Sequence, residues 1–266
     1  MPARLGGVLG LPAHVTACLF DLDGVLTQTA KVHNAAWAET FDAFLRRRSA
    51  ASGEPFRPFD SAEDYNRYVD GRPRADGVRT FLASRGIVLP EGAHDDPIDV
   101  DTVNGIGNRK NETVLRRIHT DGVLPYEGSV SYLHEAIRAG MRRAVVSASA
   151  NCREVLAAAG LTDLVEVRVD GVVARQQGLR GKPHPDTFLA AARLLDVPPG
   201  QCVVFEDALA GVAAGRAGEF GFVVGVDRVG QADQLRAHGA DIVVRDLSEL
   251  LGPGIAPGGG LAGEPA

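Results

Sequence analysis

The sequence predicts an α/β protein: a doubly wound parallel sheet with an α-helical domain inserted behind its first strand. Two textures in the chain carry that expectation. Through the second half, short apolar runs alternate with helical segments, the rhythm of strand–helix–strand units. Between residues 29 and 125 the pattern changes to long helical periodicities, with no convincing strand.

Taken in order, the first strand is expected over residues 15–20, an apolar run that ends in "FDLDG". The stretches "RRAVVSAS", "LVEVRVDG", "QCVVFEDA", "FGFVVGV" and "ADIVVRD" supply the remaining strands. Their near-continuous Val, Ile and Phe suit strands covered on both faces, as in a parallel sheet. Between them lie the helical stretches "SVSYLHEAIRAG", "NCREVLAAAG", "HPDTFLAAARLLDV" and "ALAGVAAGRAG". In the third of these, Phe188, Leu189, Ala192 and Leu195 mark one helical face. In the insert, "TAKVHNAAWAETFDAFLRRR" reads as a long helix with Val32, Ala36, Phe41, Phe44 and Leu45 in helical register; "ADGVRTFLASRG" and "NRKNETVLRRIH" read as two more. The expected domains are a discontinuous α/β core, 1–28 and 126–250, and a helical cap, 29–125. Residues 1–14 read as a loose leader, and the Gly/Pro-rich residues 251–266 as a disordered tail.

Composition narrows the function. A net charge of −6 provides no global field for nucleic acid, although local basic groups still admit small anions. Three scattered cysteines, Cys18, Cys152 and Cys202, without a C-x-x-C spacing, support neither a zinc site nor a disulfide framework. No apolar run reaches the ~18–20 residues needed to span a bilayer. A soluble, cytoplasmic, monomeric protein acting on small molecules is the expectation.

Ligands bind at the carboxyl ends of strands in such sheets, and four motifs fall there. The first strand ends in Asp21 and Asp23, another ends in Ser147, and "GKPHPD" places Lys182 just before a helix. The strand in "CVVFEDA" ends in Glu206 and Asp207. Singly, each has a plainer reading as a turn, a cap, a solvated lysine or acids at a helix N-terminus. Jointly they crowd four acids, a hydroxyl and a lysine into one volume. Acids so crowded raise one another's pKa unless a hard cation such as Mg²⁺ relieves them. Metal and lysine would then offset a phosphoryl group, and the chemistry such a set suits is phosphoryl transfer. One aspartate could act as nucleophile and the other as general acid and base.

"FDLDGVLT", "VVSAS", "GKPHPD" and "VFEDALAGV" together resemble the four motifs of the haloacid dehalogenase superfamily, over roughly residues 15–245. The resemblance implies a Rossmann-like core with Asp21 as nucleophile, Asp23 as acid/base, and Ser147 and Lys182 as phosphoryl clamps. It implies Mg²⁺ held by Asp21, the Asp23 carbonyl, Glu206 and Asp207. Features of the insert are similar to the β-phosphoglucomutase-like family. Thr29 and His33, one helical turn apart, match the cap hinge pair that positions the acid/base. "VDGRPRADGVRTFL" resembles the cap loop that grips a distal phosphate, with Gly71 and Arg74 as candidates and Arg72 competing. "NRKNE" makes Lys110 the cap lysine that approaches the acid/base. "SASAN" offers Ser147, Ala148, Ser149 and Asn151 to phosphate and sugar, while Asn151 also suits a helix cap.

Three departures stand out: Gln28 before the hinge, Asp70 where the best-matching mutases carry lysine, and a long segment at about 49–68. The resemblance implies a Mg²⁺-dependent mutase that interconverts β-D-glucose 1-phosphate and glucose 6-phosphate through an aspartyl phosphate and a bound bisphosphate. The alternative is a phosphatase on the same core, hydrolysing a small sugar phosphate or related ester.

Overall fold

The computed structural model describes residues 9–252. One parallel sheet organises them, with strands β1 (Ala17–Phe20), β2 (Arg142–Val146), β3 (Val167–Val169), β4 (Cys202–Glu206), β5 (Phe222–Val226) and β6 (Ile242–Val244). Their order is β3-β2-β1-β4-β5-β6, and every neighbouring pair is parallel. The connections run outward in opposite directions from β1 and β4, so a crevice opens between the carboxyl ends of those two strands.

Nine helices accompany the sheet among the described residues. Three come first, α1 (Thr29–Ser52), α2 (Arg74–Ser84) and α3 (Val103–Asp121), all between β1 and β2 in the chain. The others are α4 (Glu127–Arg138), α5 (Cys152–Ala158), α6 (Gly171–Gln176), α7 (Asp186–Leu195), α8 (Leu209–Ala217) and α9 (Ala232–His238).

β1 is buried throughout, and its alternation sends Cys18 and Phe20 into one apolar layer, Ala17 and Leu19 into the other. Phe20 stacks on Phe205 of β4 with centroids 4.6 Å apart, and Tyr132 of α4 meets Phe205 edge-on at 5.2 Å. This aromatic cluster, directly beneath Asp21 and Glu206, fixes the two strand ends that carry them. The Tyr132 hydroxyl donates to the Leu9 carbonyl at 2.9 Å, and Leu9 and Leu11 are buried in the same layer. The expected loose leader is therefore part of the core from residue 9 onward. Its glycines and prolines suggested mobility, but two leucines with an apolar layer to fill outweigh them. Leu251, assigned to the tail, is buried as well. Residues 1–8 and 253–266, including most of the expected disordered tail, lie outside the described residues. Cys18, Cys152 and Cys202 are free and buried. No helix among the described residues is long and apolar enough to cross a membrane.

The helices α1–α3 close over their own aromatic centre. Trp37 stacks on Phe41 at 4.9 Å, and Phe41 lies 4.1 Å from Phe81. The long segment at about 49–68 is built into this centre rather than looped away from it. α1 runs on to Ser52, and Phe59 packs against both Phe41 at 5.5 Å and Phe81 at 5.1 Å. The Phe59 amide donates to Asp42 at 2.8 Å, and Arg85 pairs with Asp64 at 2.5 Å with both side chains largely covered. A π-helical turn over Tyr65–Val69 then leads the chain back toward the sheet.

Two adjacent linkers join these helices to the sheet. The Gln28 amide donates to the Leu124 carbonyl and the Tyr126 amide to the Leu26 carbonyl, both at 2.9 Å. Gln28, one of the departures noted above, thus serves the linker with its backbone and makes no side-chain cap for α1.

Phe59→Ala should leave a cavity among Phe41, Phe81 and Phe59 and cost about 3–5 kcal/mol. Urea unfolding followed by Trp37 fluorescence should show that loss; an unchanged midpoint would mean the segment is not part of the cap's core.

Candidate active site

The strand ends bring the charged motifs together. Asp21 follows β1, its amide bonded to the Phe205 carbonyl of β4 at 2.9 Å. Lys182, on the loop before α7, reaches across to place Nζ 2.5 Å from Asp21 Oδ1 and 2.5 Å from Glu206 Oε1. The same ammonium donates to the Val146 carbonyl at 3.0 Å. Asp21, Lys182, Glu206 and Asp207 are all buried.

Burial alone would lower the pKa of Lys182, but Asp21 and Glu206 outweigh it and hold the ammonium above its ordinary range. The acids are left overloaded. Burial pushes Asp21 well up, partly offset by Lys182 and reinforced by Glu206 and Asp23. Burial also raises Asp207, with Asp70, Asp21 and Glu206 adding to it. The three carboxylates Asp21, Glu206 and Asp207 each bring an oxygen within 4.8 Å of the others. Three negative charges against one ammonium leave two unbalanced, the charge of a divalent cation.

The surroundings fit such an ion. All donors are oxygens, as a hard cation requires. A Cβ on Gly24 would overlap Asp207 Oδ2, and a Cβ on Gly211 would overlap the Glu206 carboxylate. Gly24 also has φ +99°, a conformation that L side chains rarely adopt. Both glycines of "DLDG" and "EDALAG" are therefore spaces that let the carboxylates converge. Arg228 fastens this loop from behind, donating to the Gly24 carbonyl at 2.8 Å while stacking on Tyr126 at 3.6 Å.

Asp23 faces a different set of partners. Its carboxylate accepts from Thr29 Oγ1 and, at 3.3 Å, from Ser147 Oγ, and it faces His33 Nε2 at 3.6 Å. His33 Nδ1 lies 2.8 Å from Lys110 Nζ, which sits 4.8 Å from the Trp37 ring centroid. A lysine ammonium can only donate, so Nδ1 accepts and the ring proton is left on Nε2, directed at Asp23. Burial and then the Lys110 charge lower His33 to about 4, against an upward pull from Asp23. Burial brings Lys110 down to about 7, against a partial pull upward from Asp23. Lys110 can therefore gain or lose its proton near neutrality while His33 stays neutral. Asp23 thus stands beside Asp21 as a carboxylate that takes partners from the cap helix α1.

A cavity of about 490 Å³ joins these groups to the cap. Its wall includes Asp21, Asp23, His33, Lys110, Ser147, Ala148, Ser149, Lys182 and Asp207, together with Gly71, Arg72 and Arg74. Gly71 lies against Ala208, bringing the cap loop onto the core beside Asp207. Arg74 opens α2 and donates to Asn108 at 2.8 Å.

Three expected residues sit outside the wall. Glu206 is fully buried behind it. Thr29 is buried against Asp23 and Thr27. Asn151 neither caps α5 nor lines the cavity; its amide donates to Asn111 of α3 at 2.9 Å, a bond between core and cap. Asp23 enters no carboxylate cluster with the metal candidates, since its side chain is taken up by Thr29 and Ser147.

Asp70, Tyr65, His94, Asn111 and Arg175 were not singled out as site residues from the sequence, yet all line the cavity. Asp70 is raised to about 7 by burial and then by Glu206. Its sequence signal was the departure from lysine. Arg175 lies in "VVARQQ", which carries no motif at all.

A family profile described as haloacid dehalogenase-like hydrolase matches residues 15–218. A beta-phosphoglucomutase of Mycobacterium tuberculosis is 57% identical over 247 residues, spanning 92% of this chain and 94% of that protein. The beta-phosphoglucomutase of Bacillus subtilis is 31% identical over 239 residues, 88% of this chain and 91% of that one. Among solved structures, a beta-phosphoglucomutase from Clostridium difficile superimposes with a TM-score of 0.68 at 26% identity, covering 89% of this chain and 93% of its own. The chain belongs to the haloacid dehalogenase-like hydrolases and, within them, to the β-phosphoglucomutase-like group.

Two outcomes test this geometry. Gly24→Ala should lower the affinity for Mg²⁺ at least about tenfold by calorimetry, with far-UV circular dichroism unchanged, because the new methyl displaces Asp207. Lys110→Met should raise thermal stability near pH 7 by roughly 5 °C. The folded pKa of Lys110 lies below its unfolded value, so the unfolded chain binds the extra proton between about 7 and 10.5. Stability therefore rises with pH across that window in the parent protein, and the advantage of Lys110→Met should shrink as pH rises through it. A difference independent of pH would place the cost elsewhere.

Proposed function

We propose that the protein is a Mg²⁺-dependent phosphosugar mutase interconverting β-D-glucose 1-phosphate and glucose 6-phosphate. The carrying observation is a single cavity lined both by Asp21, Lys182 and Ser147 from the strand ends and by the arginines of the cap loop. The names of the relatives support the same reading.

In this reading Asp21 carries a phosphoryl group at the start of the cycle. A sugar hydroxyl attacks its phosphorus, the proton passes to Asp23, and the bond to Asp21 breaks, leaving a bound bisphosphate. The sugar turns over, Asp21 attacks the other phosphoryl group, and Asp23 returns its proton to the leaving oxygen. Lys182 and Ser147 hold the phosphoryl oxygens, and His33 with Lys110 sets the charge and direction of Asp23. Mg²⁺, held by Asp21, Glu206, Asp207 and the Asp23 carbonyl, would neutralise the phosphoryl group so that an anionic nucleophile can approach it. Contacts of the cap on the core, such as Gly71 on Ala208, favour exclusion of the water that would hydrolyse the aspartyl phosphate. Three buried free thiols suit a reducing cytoplasm.

Incubation with β-glucose 1-phosphate, Mg²⁺ and a trace of glucose 1,6-bisphosphate should yield glucose 6-phosphate. Free phosphate without glucose 6-phosphate would make the protein a phosphatase instead. Asp21→Asn should reduce turnover by roughly 10⁴-fold or more; retained turnover would remove the aspartyl phosphate from the mechanism.

A further inference from the structure

Arg175 stands apart from every motif, on the core helix α6, yet it shares the cavity wall with Arg74 of the cap. Its neighbours on the core are spoken for: Arg168 pairs with Asp170 at 2.6 Å and Arg180 with Asp186 at 2.9 Å. Neither Arg74 nor Arg175 has a carboxylate partner among the described residues. Two guanidiniums that line one cavity and are ion-paired to no carboxylate form a site for an anion.

The packing brings them there from opposite sides. Pro73, just before Arg74, rests on Gly181, on the loop that follows α6. Arg74 lies along Gly107 of α3, and its guanidinium is held by Asn108. Asn108 in turn donates to the His94 and Asp96 carbonyls at 3.0 and 2.9 Å, which draws the His94 loop to the same edge of the cavity. Burial lowers the pKa of Arg74 and the Arg175 charge lowers it further. His94 responds to burial and then to both arginines. The pair makes a second basic group in the cavity wall, distinct from Lys182, whose ammonium is taken up by Asp21 and Glu206.

We infer that Arg175 is a substrate-specificity residue: with Arg74 it holds the phosphate of a sugar bisphosphate remote from Asp21, one guanidinium from the core and one from the cap. This rests on the phosphosugar reading above. A ligand with two phosphates would then tie core to cap through both ends of the cavity. A ligand with one phosphate, bound at Asp21, would leave the Arg74–Arg175 pair empty and the cap less firmly held.

The test uses full-length Asp21→Asn, in which the ligand is not turned over, and calorimetric titration with glucose 1,6-bisphosphate and with inorganic phosphate in the presence of Mg²⁺. Adding Arg175→Ala should weaken bisphosphate binding about tenfold or more, the scale of one charge-assisted contact. Inorganic phosphate, drawn to the Lys182 pole, should bind as before. Arg175→Lys should recover part of the loss, which a merely structural role on α6 would not require. Unchanged bisphosphate affinity in Arg175→Ala, or an equal loss for both ligands, would overturn the inference. Because binding is read without catalysis, absence of mutase turnover in the parent protein would sink the proposed reaction and leave this result to stand or fall separately.

Discussion

The structure depends on keeping several carboxylates buried at the end of a parallel sheet. Asp21, Glu206 and Asp207 converge where β1 and β4 part, and Lys182 is the ammonium that makes their approach tolerable. Burying unpaired charge is costly, and breaking such a pair by removing one partner costs several kcal/mol. Much of the neighbourhood can be understood as provision for this cluster. Phe20, Phe205 and Tyr132 stiffen the strands beneath it, Gly24 and Gly211 make room for its oxygens, and Arg228 braces the loop from outside. The remaining negative charge is what makes the site receptive to a divalent cation and, through it, to a phosphoryl group.

The second carboxylate pole obeys different physics. Asp23 is controlled by hydroxyls and by a neutral imidazole rather than by the charged cluster. Thr29 and His33 belong to the first turns of α1, and Lys110 behind His33 to α3, so these partners of Asp23 are carried by the cap. Any movement of the cap would alter the environment of the proposed acid/base without disturbing Asp21. The two carboxylates thereby keep separate partners although only one residue separates them in the chain.

The inserted helices are a folded unit because aromatic residues from distant segments meet in one place. Trp37 and Phe41 come from α1, Phe59 from the long segment and Phe81 from α2. That centre holds the cap loop at 70–74 against Ala208 and Gly181, which turns an open crevice into a cavity. The Asn111–Asn151 bond adds a polar tie across the same boundary.

Strand ends and their acids were legible in the sequence because local patterns dictate them. Apolar runs become buried strands, and Asp21, Ser147 and Glu206 follow such runs directly. Helical periodicity likewise announced α1 and the face it buries. Leu9 and Leu11 were misread because Gly and Pro describe backbone freedom, whereas their burial depends on a layer assembled from remote parts of the chain. The bond from Asn151 to Asn111 was invisible for a similar reason: the two lie 40 residues apart. Arg175 could not be found at all, since nothing in its own segment distinguishes it from a solvated helix arginine. The sequence by itself determined the sheet, the helical insert and the charged motifs, all encoded within a few residues of each position. Tertiary structure alone decided which charges are paired, which carboxylate faces the cap and which arginines share the cavity, because those depend on through-space distances between segments that chain order does not specify.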